Sequence, residues 1–463
     1  MSGRPASRRP GWCGVVGPVY EAAVRTELTI DAVAPGGEGV GRDGARAVFV
    51  PFTAPGDLVE ADVPPGEGVA HAELVRVLAP GPDRVEPPCR HFGPPSGVHA
   101  AGPDLLCGGC EWLHLRYEAQ LAAKARGFAE TLRRIAKLEP GAYELRSIVP
   151  SPEALRYRSR AKFHWDRSAA RLVYFRRRSH EPLRVEECWL LAPALDALRE
   201  AMNPALAAAR LDVREVALEW ADGPGPHAGR GAAWLKLAAI SPAAKGRAEA
   251  LLAAVPALSG IVLTAEGAPA VVVGDPVLRH ARRPDDPAVG RQRSRPDVFQ
   301  QANRAANAQL VAAAVAPLAG SGEVLELYCG AGNFTAALAA GARAVYAVEV
   351  QGPSLELARA DLSGGNIRFH AGDALAVARG LAREGRRFDA ALLDPPREGA
   401  KGIGPVLRDL GVARAAYVSC DPATLARDVR GCVEAGYRVA WAQPFDLFPQ
   451  THHVEGLVLL ERS

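Results

Sequence analysis

The chain has little net charge: +3 over 463 residues. As a whole it therefore does not announce itself as a partner for a polyanion. It has no apolar run long enough to span a bilayer. The arginines among its first ten residues are followed by no apolar stretch, which argues against a secretory signal. Eight cysteines do not suggest a disulfide framework in a chain this long, and in the cytoplasmic setting this implies they stay reduced. Internal repeats are absent too. What is present is ordinary for a globular protein, 48% hydrophobic and 23% charged, and the length suggests about two to four domains.

Residues 1–22, rich in Gly, Pro and Arg, read as a disordered tail. Over 23–82 short alternating runs at 28–30, 47–50, 57–63 and 72–78 are separated by Gly- and Pro-rich turns, among them 36–42. Strands at that spacing predict a small β-barrel of the OB type. A proline-rich linker (80–88) leads into a central α+β domain spanning 83–292, with a helix expected over 117–137. From 293 to 463 the pattern alternates: a helix at 300–318, then strands at 323–327, 344–350, 388–393 and 415–418 with helical stretches between them. That is the text of an α/β domain with a doubly wound, Rossmann-like sheet.

The strand at 323–327 runs into Tyr328-Cys329-Gly330-Ala331-Gly332-Asn333, a glycine turn where a backbone can approach a ligand. Glu349 ends the next strand, placed to bond a ribose diol, and Asp373 follows the third strand, where it can reach an adenine. The spacing suits a dinucleotide as well as S-adenosylmethionine, but the third glycine of the dinucleotide fingerprint is replaced by Thr335. The strand at 388–393 ends in Asp394-Pro395-Pro396-Arg397. Arginine stands where exocyclic-amine methyltransferases carry an aromatic residue, which argues against amine chemistry. The following strand delivers Ser419-Cys420-Asp421-Pro422, just before a helix over 424–434, where the positive dipole end is expected to favour the Cys420 thiolate. Glu455, before the last strand, is the candidate general base. Between Arg156 and Arg184 ten Arg or Lys stand against two acids, with Tyr157, Phe163, Trp165, Tyr174 and Phe175 among them. They form either a surface for single-stranded RNA or a solvated basic sheet face with its rings in the core.

Together these residues resemble the RNA uracil-5 methyltransferase family, which acts on transfer RNA and 23S ribosomal RNA, and the likeness runs the length of the chain. The run Gly36-Gly37-Glu38-Gly39-Val40-Gly41-Arg42 resembles the start of a TRAM domain, an RNA-binding barrel of the OB type. Phe299-Gln300-Gln301-Ala302-Asn303 is similar to the family's Phe-x-Gln-x-Asn, whose glutamine, here Gln301, contacts the cofactor. Tyr328, Gly330, Gly332, Asn333, Glu349, Asp373 and Asp394 fall on its other cofactor contacts. The stretch from Ser419 to Asp428 is the most specific, with Asp421 where the family usually has Asn, and His453-Val454-Glu455 matches its His-x-Glu.

The resemblance implies a class I methyltransferase that uses S-adenosylmethionine. Cys420 would add to carbon 6 of uracil, carbon 5 would take the methyl group, and Glu455 would remove the carbon-5 proton. It also implies that Cys89, Cys107, Cys110 and Cys188 hold a [4Fe–4S] cluster, with zinc as the alternative. The Cys89–Cys107 gap is long, as if 94–104 were a loop insertion. The spacing lacks the pattern of radical enzymes, so such a cluster would be structural or RNA-positioning. Ribosomal RNA is favoured over transfer RNA as substrate, with a monomeric enzyme and no membrane contact expected. A cytosine-5 methyltransferase is disfavoured because the motif at 394–397 has no second cysteine. A non-catalytic iron–sulfur RNA-binding protein is the remaining alternative.

Overall fold

The computed structural model describes residues 23–93, 107–221, 229–283, 286–362 and 364–463. The expected tail at 1–22 and the whole of the expected insertion at 94–104 lie outside them.

Six strands form the first unit: β1 (Val24–Val33), β2 (Gly39–Asp43), β3 (Arg46–Val50), β4 (Leu58–Val63), β5 (Ala70–His71) and β6 (Glu73–Ala79), in the order β5-β3-β2-β1-β4-β6. β1 pairs with β4 along one stretch and with β2 along the next, through an irregularity between Ile30 and Ala32. Alternate residues Leu28, Ile30, Val48, Val50, Val59 and Ala61 fill its core. The glycine-rich run at 36–42, expected as a turn, does turn at Gly36 and Gly37 and from Gly39 onward forms β2. The glycines there answer crowding, since a Cβ on Gly39 would sit 1.9 Å from the Thr53 hydroxyl.

Next come α1 (Tyr117–Thr131), which runs on into one π-helical turn over Leu132–Ala136, and β7 (Glu144–Leu145). A central sheet follows, built from β8 (Arg160–Asp166), β9 (Arg171–Phe175), β10 (Pro182–Leu183), β11 (Val213–Ala221), β12 (Arg230–Leu237), β13 (Leu258–Thr264) and β14 (Val271–Gly274), in the order β10-β9-β8-β11-β12-β13-β14. Its apolar face is covered by α2 (Pro193–Ala209) and α3 (Ala244–Ala254). The hairpin β15 (Leu278–Arg283) and β16 (Asp286–Ser294) then leads toward the last unit.

That unit comprises α4 (Arg304–Val315), β17 (Glu323–Leu327), α5 (Thr335–Gly341), β18 (Ala344–Glu349), α6 (Gly352–Asp361), β19 (Ile367–Ala371), α7 (Ala374–Arg383), β20 (Ala390–Leu393), α8 (Ile403–Asp409), β21 (Arg414–Ser419), α9 (Pro422–Glu434), β22 (Tyr437–Phe445) and β23 (Glu455–Arg462). The sheet order is β19-β18-β17-β20-β21-β23-β22-β7, with β17 to β21 parallel and β23 antiparallel to both its neighbours. β20 is buried at every residue, as a parallel strand covered on both faces should be. The order reverses between β17 and β20, and ligands of such sheets bind at the carboxyl ends beside that point. A division at residue 293 cuts across this unit. β7 extends its sheet, and Phe128, Leu132 and Ala136 belong to the same core as Leu425, Ala426 and Val429 of α9. Among the described residues no helix is long and apolar enough to cross a membrane.

Candidate active site

The loop leaving β17 begins at Tyr328, whose φ of 65° is left-handed and uncommon for a side chain of that size. Gly330 follows at φ 55°, and a Cβ there would meet no atom within 4 Å, so this face of the loop is open to a ligand. Glu349, buried at the end of β18, braces the turn, one oxygen accepting from Gly330 N at 2.9 Å and the other from Gln351 N at 2.7 Å. Asn333 exchanges two amide hydrogen bonds with Asn307 of α4, at 2.8 and 3.1 Å. Asp373 caps α7 through Ala376 N at 2.7 Å. Gln301 lies half-buried before α4, and the preceding Gln300 is tied to Gln292 of β16 at 3.1 Å.

The ends of β20, β21 and β23 bring a second group together beside this loop. Cys420 follows β21 and is half-buried. Asp421 caps α9, accepting from Ala423 N at 3.0 Å and Thr424 N at 2.9 Å, a task asparagine performs equally well. Burial pushes the Cys420 thiol up to about 11, the Glu455 and Asp394 carboxyls add to the rise, and the Arg397 guanidinium, in hydrogen-bonding contact with the sulfur, opposes it. The expected thiolate is therefore absent in the free protein at neutral pH. A dipole end already occupied by a capping carboxylate is worth less than about 1 kcal/mol, and burial beside two carboxyls outweighs it.

Asp394 is raised by burial to about 7. Glu455, 1% exposed, is held well above the usual carboxylate range by burial and then by Asp394. One of its oxygens, Oε2, is buried with no hydrogen-bond partner. His453, two residues earlier, is neutral, pushed down to about 4 by burial and by His452.

Two residues escaped the sequence reading. Arg397 entered only as an argument against amine chemistry, yet it is the cation at the sulfur. Its loop is pinned by Asp428 of α9, which accepts from Ala400 N and from Tyr417 Oη, both at 2.7 Å. Glu326, fully buried on β17, is raised by burial to about 8. An acid set among the apolar residues Val324, Leu325 and Leu327 was the available signal.

The family model of tRNA (uracil-5-)-methyltransferases matches residues 288–463. The 23S rRNA (uracil(1939)-C(5))-methyltransferase RlmD of Pseudomonas entomophila is 35% identical, over 94% of this chain and 94% of that protein. Its counterpart in Pseudomonas putida is 34% identical over 96% and 95%. The chain belongs to the RNA uracil-5 methyltransferase family. It is an S-adenosylmethionine-dependent enzyme acting on RNA. The crystal structure of Pyrococcus abyssi tRNA (uracil-54, C5)-methyltransferase in complex with S-adenosyl-L-homocysteine shares the fold, with a TM-score of 0.69 at 22% identity over 94% of this chain and 99% of that one.

In this methyltransferase the four N-terminal cysteines line one cavity, together with Arg158 and Tyr174. It encloses about 30 Å³, room for little more than water. Among the described residues no three His, Cys, Asp or Glu side chains are arranged to hold a metal ion. The expected iron–sulfur centre is thus not preassembled as the thiols stand. Burial raises Cys107 to about 12 and Cys110 well above the usual range, which holds these two as thiols, and each would be raised further by ionised cysteines beside it.

The basic segment is also not the free cationic face its composition suggests. Arg156 pairs with Glu187, Lys162 with Glu215, Arg167 with Asp212, Arg171 with Glu200, Arg176 with Glu181 and Arg178 with Glu38. Arg160 caps the carbonyls of Pro296 and Val298. Tyr157 and Phe163 are core residues.

Proposed function

We propose that the enzyme forms 5-methyluridine in 23S ribosomal RNA with Cys420 as nucleophile and Glu455 as general base. The observation that carries this reading is the meeting of thiol, guanidinium and two proton-holding carboxyls at the ends of β20, β21 and β23, next to the open Gly330 loop. The target rests on the two relatives whose names specify 23S rRNA over nearly the whole chain.

Carbon 5 of uracil is too weak a nucleophile to be methylated unaided. The Cys420 thiol gives its proton to solvent and its sulfur adds to carbon 6 as the C5–C6 π bond opens, leaving enolate density on carbon 5. Arg397 stabilises the sulfur anion while it exists. Bound on the β17 loop, S-adenosylmethionine supplies an electrophilic methyl group. Glu349 and Asp373 would hold its ribose and adenine, with Gln301, Tyr328, Gly332, Asn333 and Asp394 completing the bed. Glu455, having given up its own proton to solvent, then takes the carbon-5 proton as the carboxylate, the S–C6 bond breaks, and the thiolate leaves.

The six-stranded first unit is read as a TRAM domain that binds RNA. The four thiols are read as ligands of a [4Fe–4S] cluster. Ionised together in so small a cavity they would repel one another, and a bound cation is what makes four thiolates tolerable there. Anaerobically purified protein is then brown and Cys107→Ser bleaches it, whereas colourless protein carrying stoichiometric zinc overturns the iron assignment.

RNA containing 5-fluorouracil tests the chemistry. The fluorine blocks proton removal, so a covalent adduct should accumulate that Cys420→Ala abolishes. An adduct surviving that substitution sinks the nucleophile. Mass mapping of ribosomal and transfer RNA from cells lacking the gene decides the target: a 5-methyluridine missing from transfer RNA alone would refute 23S rRNA.

A further inference from the structure

The loop joining β22 to β23 carries His453 and ends at Glu455, and it is secured in an unusual way. Gln450 is buried, 6% exposed, with φ 69°, a left-handed backbone that a glutamine rarely adopts. Such a conformation persists only where its surroundings over-determine it, and here every polar atom of the residue is engaged. Gln450 N donates to Gln120 Oε1 at 2.9 Å, and Gln120 Nε2 donates to Gln450 Oε1 at 2.9 Å, so one amide of α1 clamps both the backbone and the side chain. Gln450 Nε2 donates to Ala154 O at 3.2 Å. Gln450 O accepts from Glu111 N at 3.0 Å and Trp112 N at 3.1 Å, the two residues directly after Cys110. Nearby, Lys124 of α1 reaches the same loop at Asp446 Oδ1 (2.6 Å) and Phe448 O (3.0 Å).

We infer that Gln450 is a positioning residue: its strained, fully bonded knot fixes the loop that aims Glu455 at the reacting carbon. The inference rests on Glu455 being the base. Glu455 Oε2 is buried without a hydrogen-bond partner, so the backbone that presents the side chain carries much of its aim. A glycine at 450 would accept φ 69° without strain and keep the backbone bonds, while losing the side-chain clamp. Folding is thereby preserved and the aim is loosened.

The readout is the elimination step, in which Glu455 takes the carbon-5 proton and the S–C6 bond breaks. On ordinary uracil RNA with S-adenosylmethionine, Glu455→Gln should halt after methyl transfer and accumulate a denaturation-resistant protein–RNA adduct. Gln450→Gly and Gln120→Ala should accumulate the same methylated adduct, with kcat lowered at least about tenfold and KM for RNA unchanged. Adding Gln450→Gly to Glu455→Gln should raise the adduct no further. If the two glutamine variants lose adduct and product in proportion, or turn over without any adduct, the residue is only structural and the inference is overturned. Absence of adduct in Glu455→Gln itself removes the base, and the inference with it, and that result differs from failure of the knot alone.

Discussion

A thiol half-buried beside two carboxyls and one guanidinium reacts only through its ionised fraction. With Cys420 raised to about 11, alkylation of the free enzyme by iodoacetamide should accelerate about tenfold per pH unit from about pH 7 to about pH 10, without a plateau. Arg397→Ala should slow it at every pH, because the opposing cation is gone. A plateau near neutrality would show that the thiol is ionised at rest. The position of Cys420 was legible from its strand-to-helix frame, as were the glycine turn and Glu349. Its protonation state was not, because Glu455 and Asp394 approach it from strands far away in sequence. Asp421 is the complementary case: a departure from the family's asparagine that the capping bonds make inconsequential.

At the scale of elements, local patterning predicted β17, β18, β20, β21 and α9 of the last unit to within a residue or two. The strands were legible because each is an apolar run ended by a turn, whereas the helix expected at 300–318 begins only at Arg304. Helix α1 was legible as a helix but not as part of that unit, because periodicity identifies a buried face without naming what covers it. Phe128 is wholly buried against the α9 core, and a Cβ on Gly456 of β23 would fall 2.6 Å from its ring. Phe128→Ala should therefore destabilise the methyltransferase unit by about 3–5 kcal/mol in denaturant unfolding. An effect under about 1 kcal/mol would show that α1 merely leans on the surface. The paired cations of β8 to β10 failed to be read for the same reason. Their partners come from elsewhere: Glu200 from α2, Asp212 from the link between α2 and β11, Glu215 from β11, and Glu38 from the first unit.

For the whole molecule, the buried acids set a pH dependence. Glu326 at about 8 and Asp394 at about 7 are both raised on folding. The native state thus binds protons that the unfolded chain has already released. Their contribution is complete below the unfolded carboxylate range and drains away as pH rises through about 7 to 8. Thermal midpoints should fall between about pH 6 and about pH 9, and Glu326→Gln should flatten that fall. A midpoint that rises over the same interval would contradict the assignment.

The clamp between Gln120 and Gln450 spans 330 residues of chain. On a ribosome adding about 5–20 residues per second, α1 emerges some 15 to 65 s before the loop it must grip. Through that interval Phe128, Leu132 and Ala136 lack the α9 residues that share their core in the folded protein, so exposed apolar surface on the nascent chain is expected there. The loop that presents Glu455 can become rigid only once Gln450 has emerged to meet Gln120, so the site is completed well after the helix that holds it has been made.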